Sequence, residues 1–232
     1  MQENFNSIQK AARRAGFLFI WLIVTGVTSM IITSFIEGSG SFIEKASRIA
    51  ASQHLYRFGL LIAMVETMSA SLLGFSLYIA LKSFNQPLAQ QAMYWRLGES
   101  FIGAVGVIFS FAKSDIYVTA ANTPAFDNLQ SIASFAKSAG FAFYNISATF
   151  FGIGSILFFY LFYKSKSIPK FLSVIGLIAS FIVPFMCMGS LLWPEYKNVL
   201  VYGWIPMAVA EIGTGIWLLR RGLTVNGLTA PV

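Results

Sequence analysis

Six apolar runs recur along this sequence, at 17–36, 57–81, 90–112, 139–163, 170–193 and 199–219. Each is long enough, at about 1.5 Å per residue, to cross a hydrocarbon core of about 30 Å. Nothing else in the chain restricts its fold as strongly. A backbone in lipid finds no water to bond, so only helices and closed barrels can cross. Barrel strands need alternating segments of about ten residues, and the runs do not alternate. The expected fold is therefore all-α, a polytopic six-helix transmembrane bundle, with residues 1–232 forming a single membrane domain. Composition agrees: 11% of residues are charged, against about a quarter in soluble domains. The first run is too long for a signal-peptide core and lacks a small-x-small cleavage site after it, so it is kept as a helix.

The basic residues suggest an orientation. With the N-terminus inside, one side holds Lys10, Arg13, Arg14, Lys82, Lys164, Lys166, Lys170, Arg220 and Arg221, with Glu3 as its only acid. The other side holds Lys45, Arg48, Arg57, Lys113, Lys137 and Lys197, diluted by Glu37, Glu44, Asp115, Asp127 and Glu195. Nine against six, with the short 164–170 loop and both ends agreeing, places both termini in the cytoplasm by the positive-inside rule. The net charge of +7 is then membrane-surface charge. Membrane lipid is the expected partner, and no basic soluble face points to nucleic acid.

Two outer connectors carry local signals. Ser41 and Glu44 have capping-box spacing, and Phe42, Ala46, Ile49 and Ala50 share one helical face, so a short interfacial helix is expected near 42–52. Thr123 before Pro124 is a helix start, and Phe126, Leu129, Ile132 and Phe135 continue a stripe. A second short outer helix is expected near 124–136, packed over the outer rim.

The inventory of chemical groups excludes several enzyme classes. One cysteine, Cys187, and one histidine, His54, cannot supply zinc clusters, bis-histidine haem, di-iron sites or disulfide frameworks. No aspartate or lysine lies inside a span, which removes an intramembrane aspartyl protease and a retinal Schiff base. His54 falls in a polar connector, away from any buried serine it could activate. No catalytic residue, metal site or cofactor is expected.

What remains is a polar seam inside the apolar runs. Sidedness accounts for 15 of the 16 basic residues; the exception is Arg96, inside the third span with Glu99 one turn on. Steps of three and four continue this face through Gly103, Gly106 and Ser110. The second span has Ala63, Glu66, Ala70 and Gly74, the fourth Asn145, Ala148, Gly152 and Ser155. The fifth has Ser173, Gly176 and Ser180, the sixth Ala208, Glu211 and Gly215. Small residues let helices approach and polar ones have no partner in lipid, so these faces are expected to turn inward. Glu66, Glu99 and Glu211 fall roughly 13–15 Å from the nearer end of their spans. Three carboxylates and one guanidinium thus share a level where a charge must pair, keep a proton or meet water.

Three stretches give the chain a family likeness. These are Asn85-Gln86-Pro87-Leu88 leading to Arg96-Leu97-Gly98-Glu99, then Tyr160-Leu161-Phe162-Tyr163-Lys164-Ser165 with Ile168-Pro169, Leu172 and Gly176. The third is Glu211 followed by Trp217-Leu218-Leu219 and Gly222. From about Arg13 to Gly222 the chain resembles a bacterial membrane family known as domain of unknown function 4386, least so over 114–137. The resemblance implies a compact multi-pass protein of the bacterial cytoplasmic (inner) membrane, with Arg96, Glu99 and Glu211 at the family's polar positions.

The functional expectation is a non-enzymatic membrane protein whose Glu66, Arg96, Glu99, Asn145 and Glu211 bind a small polar or amphiphilic ligand, or a proton or cation in transport. The alternative is a structural or accessory subunit that partners other membrane proteins, its buried charges serving only to fix helix packing.

Overall fold

The computed structural model describes residues 2–123 and 128–224, with side chains described from residue 5 onward. Among the described residues every regular element is helical. The helices are α1 (Gln2–Glu37), α2 (Phe42–Ala51), α3 (Gln53–Leu81), α4 (Gln86–Asn122), α5 (Leu129–Ser165), α6 (Lys170–Leu192), α7 (Lys197–Leu200) and α8 (Trp204–Arg221). Among the described residues six stretches are long and apolar enough to cross a membrane: α1 from Phe5, α3, α4, α5, α6, and the run Pro194–Arg221 that ends in α8. The chain is a multi-pass helical membrane protein.

Several boundaries differ from those expected. Residues 129–136 are the first turns of α5, not a separate outer helix, and the start expected at Pro124 with Phe126 lies outside the described residues. The face that packs is also different: Ala133 and Ala136 are buried, while Ile132 and Phe135 are exposed. Small residues let neighbouring backbones close up, and large apolar ones need no shelter in lipid. The sixth span begins with a 3-10 turn at Pro194–Tyr196, α7 and a second 3-10 turn at Val201–Gly203. Pro206 therefore sits in the first turn of α8, where a missing N–H removes no helical bond. His54 lies in the first turn of α3.

The helices divide into two compact units. The first comprises Met1–Ile23, Ser69–Ser100 and Asn145–Val232. Its core runs from Ile8, Ala12 and Phe19 through Leu73 and Leu77 to Phe158, Phe162, Val183, Met207 and Leu218. Glycines let its helices touch. A Cβ on Gly16 of α1 would stand 2.8 Å from the Gly215 carbonyl oxygen of α8, and one on Gly215 would stand 3.1 Å from the Gly16 carbonyl oxygen, so two backbones meet directly. Beyond this crossing the Gln9 amide brackets Leu223, donating to its carbonyl at 2.8 Å and accepting its N–H at 3.0 Å. Pro184 leaves α6 continuous from Lys170 to Leu192, and Gly152 of α5 makes room for its ring, which lies 2.5 Å from where a Cβ would be.

The second unit comprises Val24–Met68 and Phe101–Tyr144. α1 ends at Gly38, whose positive φ of 58° lets its N–H return to the Ser34 carbonyl at 2.9 Å. Ser41 then caps α2: its hydroxyl accepts the Glu44 N–H at 3.3 Å, and the Glu44 carboxylate accepts the Ser41 N–H at 2.7 Å. The buried face of α2, Ala46 and Ile49, joins Ile36, Tyr56, Leu60, Tyr117, Ala120 and Ala133 in one apolar cluster. Arg48 turns back from α2 to donate to the Glu37 carbonyl at 2.6 and 3.2 Å and to the Ser39 carbonyl at 2.6 Å, satisfying oxygens that a helix end leaves open.

Candidate functional site

Asn85 starts α4, its side chain accepting the Leu88 N–H at 3.1 Å while its carbonyl takes the Ala89 N–H at 3.0 Å. Pro87 in this first turn costs no helical bond. The helix then carries Arg96 into the first unit, where the residue is only 2% exposed. An arginine fits there because two neighbours lack side chains. A Cβ on Gly74 of α3 would stand 2.7 Å from Arg96 Cβ, and one on Gly154 of α5 would stand 3.4 Å from Arg96 Cδ. The aliphatic stem thus lies in a slot cut by two glycines on two other helices.

The slot delivers the guanidinium to mixed surroundings. Its central carbon lies 4.7 Å from the centre of the Phe151 ring, an attraction of about 0.5–2 kcal/mol that grows as water leaves. Nη1 lies 3.1 Å from Glu99 Oε2, one turn along α4, and the Glu99 side chain is 15% exposed. Nε is buried and has no hydrogen-bond acceptor among the described residues. α5 holds this stretch of α4 from the side: Ser147 Oγ donates to the Glu99 carbonyl at 2.8 Å, and the Phe150 ring covers Gly98 and meets Trp95 edge-on with centroids 4.9 Å apart.

Two further expected residues belong to the same unit. Asn145 is 3% exposed, and its backbone carbonyl accepts the Thr149 hydroxyl at 2.8 Å. Glu211 is 9% exposed on α8, in a buried face with Met207, Ala210, Thr214, Gly215 and Leu218. Glu66 belongs to the second unit, where it is half-buried and its carboxylate oxygen lies 3.6 Å from the position of a Cβ on Gly26. The structure thus joins Arg96 to Glu99, buries Asn145 and Glu211 within their unit, and sets Glu66 against Gly26.

Some of this was not anticipated from the sequence. Nothing in the sequence ties Gly26 of α1 to Glu66, yet it leaves the space beside which the Glu66 carboxyl lies. Gly154 lies one residue off the small-residue stripe of α5, yet it forms one wall of the arginine slot. Phe151 is one of 23 phenylalanines with no local mark. Thr214 and Trp217, three and six residues beyond Glu211, each hold a buried polar atom with no hydrogen-bond partner among the described residues. No metal-holding group of three or more His, Cys, Asp or Glu occurs among the described residues.

No curated protein and no solved structure matches the chain. A family model does, over residues 14–222, a stretch that contains every helix of the first unit's site together with Glu66. The chain belongs to the family described as Domain of unknown function (DUF4386).

Proposed function

We propose that this multi-pass membrane protein binds a small polar or amphiphilic ligand at Arg96 and Glu99, with binding linked to movement of a proton or cation. The observation that carries the reading is the state of Arg96: a guanidinium 2% exposed, seated by two glycines, with a buried Nε that lacks an acceptor among the described residues. A buried donor without a partner costs about 1–3 kcal/mol. A ligand oxygen that accepts from Nε recovers this energy and competes with Glu99 for the guanidinium. A carboxylate released from its cation in a low-dielectric interior takes up a proton, which supplies the coupling. Asn145 and Glu211 are proposed as further ligand- or proton-binding residues of the same unit, and Glu66 as a protonatable group of the second. The proposed location is the bacterial inner membrane.

A second reading, a structural or accessory subunit, draws support from the tightness of the same slot, since an arginine packed between Gly74, Gly154 and Phe151 also fixes helix register. Infrared titration of the full chain in lipid between about pH 5 and pH 9 separates the two. The binding reading expects a carboxyl stretching band that titrates in that window and is missing from Glu99→Gln, Glu211→Gln or Glu66→Gln. If no carboxyl band changes in any of the three, proton-linked binding is wrong and the structural reading stands.

A further inference from the structure

The turn between α5 and α6, apart from the Arg96 site, has features that packing alone does not require. Lys164, Lys166 and Lys170 fall within seven residues, all exposed. No acidic residue occurs anywhere from 128 to 194, and among the described residues none of the three lysines forms an ion pair. Exposed cations gathered in one turn without an acidic neighbour make a locally positive surface that attracts anions.

The backbone that presents these lysines is firmly built. Lys166 holds a φ of 54°, the one positive value at a non-glycine among the described residues, a conformation uncommon for a residue with a side chain. The next residues, Ser167 and Ile168, are buried. The Ser167 carbonyl accepts the Thr224 N–H at 2.9 Å, and the Ser165 and Ser167 hydroxyls lie 2.7 Å apart. These bonds fix the course of the backbone on either side of Lys166, which ends α5 in the left-handed conformation common after a helix.

The side chains around the turn are amphipathic. Lys164 Nζ lies 5.8 Å from the centre of the Tyr160 ring, and Lys170 Nζ lies 5.9 Å from that of Tyr163. Phe171, the residue after Lys170, is 62% exposed, and both tyrosines are exposed. Ammonium groups over aromatic rings, at the ends of two apolar helices, fit the level at which phosphates give way to acyl chains. A soluble anion would use the lysines but has no need of the exposed aromatic residues. Other cations of this unit extend the same character: Lys82 lies 5.7 Å over the Tyr78 ring, and Arg220 and Arg221 close α8.

We propose that the α5–α6 turn is a binding site for the phosphate headgroup of an anionic phospholipid, with Lys164, Lys166 and Lys170 contacting the phosphate and Tyr160, Tyr163 and Phe171 the first acyl carbons. This goes beyond the ligand reading of Arg96 and stands whether or not that reading holds.

The test is native mass spectrometry of the full chain in detergent, titrated with phosphatidylglycerol or with phosphatidylcholine of the same acyl chains. Wild type is expected to retain phosphatidylglycerol in preference. The K164Q/K166Q/K170Q variant should lose about tenfold or more of that preference, while K164R/K166R/K170R retains it and Lys45→Gln in the second unit leaves it unchanged. Equal retention of the two lipids by wild type, or an undiminished preference in the glutamine variant, overturns the proposal. Displacement of phosphatidylglycerol by an equal concentration of inorganic phosphate also overturns it, because the site then reads a free anion. If the glutamine variant does not fold, wild type decides alone: the preference must fall as potassium chloride is raised, and a preference indifferent to salt refutes the site.

Discussion

The two units treat their charges differently. In the second unit, Glu37 at the end of α1 accepts from Lys113 Nζ at 2.7 Å and from the Tyr56 hydroxyl at 3.3 Å, while Arg48 satisfies the Glu37 carbonyl. Arg57 and Asp115 pair beside a more open surface. The bonds to Glu37 form one cluster, separate from the Arg57–Asp115 pair, and Arg57, like Arg96, keeps a buried Nε without an acceptor among the described residues. In the first unit, Arg96 lies far inside α4, with one carboxylate, one aromatic face and a nitrogen still without an acceptor among the described residues. Several donors converge on the one Glu37 carboxylate, whereas the Arg96 guanidinium meets a single carboxylate in an ion pair. A buried donor without an acceptor costs free energy in either unit, and at Arg96 it does so in a residue only 2% exposed.

The largest effect is expected at Arg96. Arg96→Gln leaves the Glu99 carboxyl in the interior without its cation and should cost about 3–5 kcal/mol, read as earlier unfolding in a denaturing detergent. Arg96→Gln with Glu99→Gln should recover most of this loss. A double variant no more stable than the single one would mean that the pair is not the unit of stability. A smaller effect is expected in the second unit. Lys113→Met should cost about 1–2 kcal/mol in the same assay, since the Tyr56 hydroxyl still serves Glu37. A loss as large as that at Arg96 would erase the distinction drawn here.

The smallest effect should lie in α2. The Ser41 N–H and hydroxyl bonded to it hold the exposed Glu44 carboxyl below its ordinary value of 4.5. Because the folded value is the lower one, the box contributes fully above the ordinary value and its contribution is lost as pH falls through the lowered one. Hydrogen-exchange protection of the α2 amides should therefore decline over that acid window, and Ser41→Ala should flatten the dependence. Protection that is indifferent to pH in the native chain would show that α2 is held by its apolar face alone.

The six crossing segments were legible because lipid imposes one rule on every residue of a span, and hydropathy reads that rule directly. The ends of the helices were not. α5 starts ten residues earlier than its apolar run, since Ser131, Ser134, Lys137 and Ser138 lower the hydropathy without breaking the helix. The stripe drawn through Ile132 and Phe135 followed the habit of water-soluble helices, where large apolar residues face the core, and the alanines between them took that role instead. At the candidate site, the Arg96 and Glu99 pair was legible from a spacing of three along one helix. The slot was not, because Gly74 and Gly154 lie on helices separated from Arg96 by 22 and 58 positions, and no local pattern ties a glycine to the side chain it admits. The Glu37 and Lys113 bond spans 76 positions and was hidden in the same way, its members having been counted only as charges on one side.

The bracket that Gln9 places around Leu223, beyond the Gly16 and Gly215 crossing, has a consequence for biogenesis. The bonds that seat α1 at this end form only when a partner 214 positions later in the chain has been made. Until then the Gly16 backbone lacks the α8 backbone it meets at Gly215, so the fold closes on contacts between segments far apart in the chain.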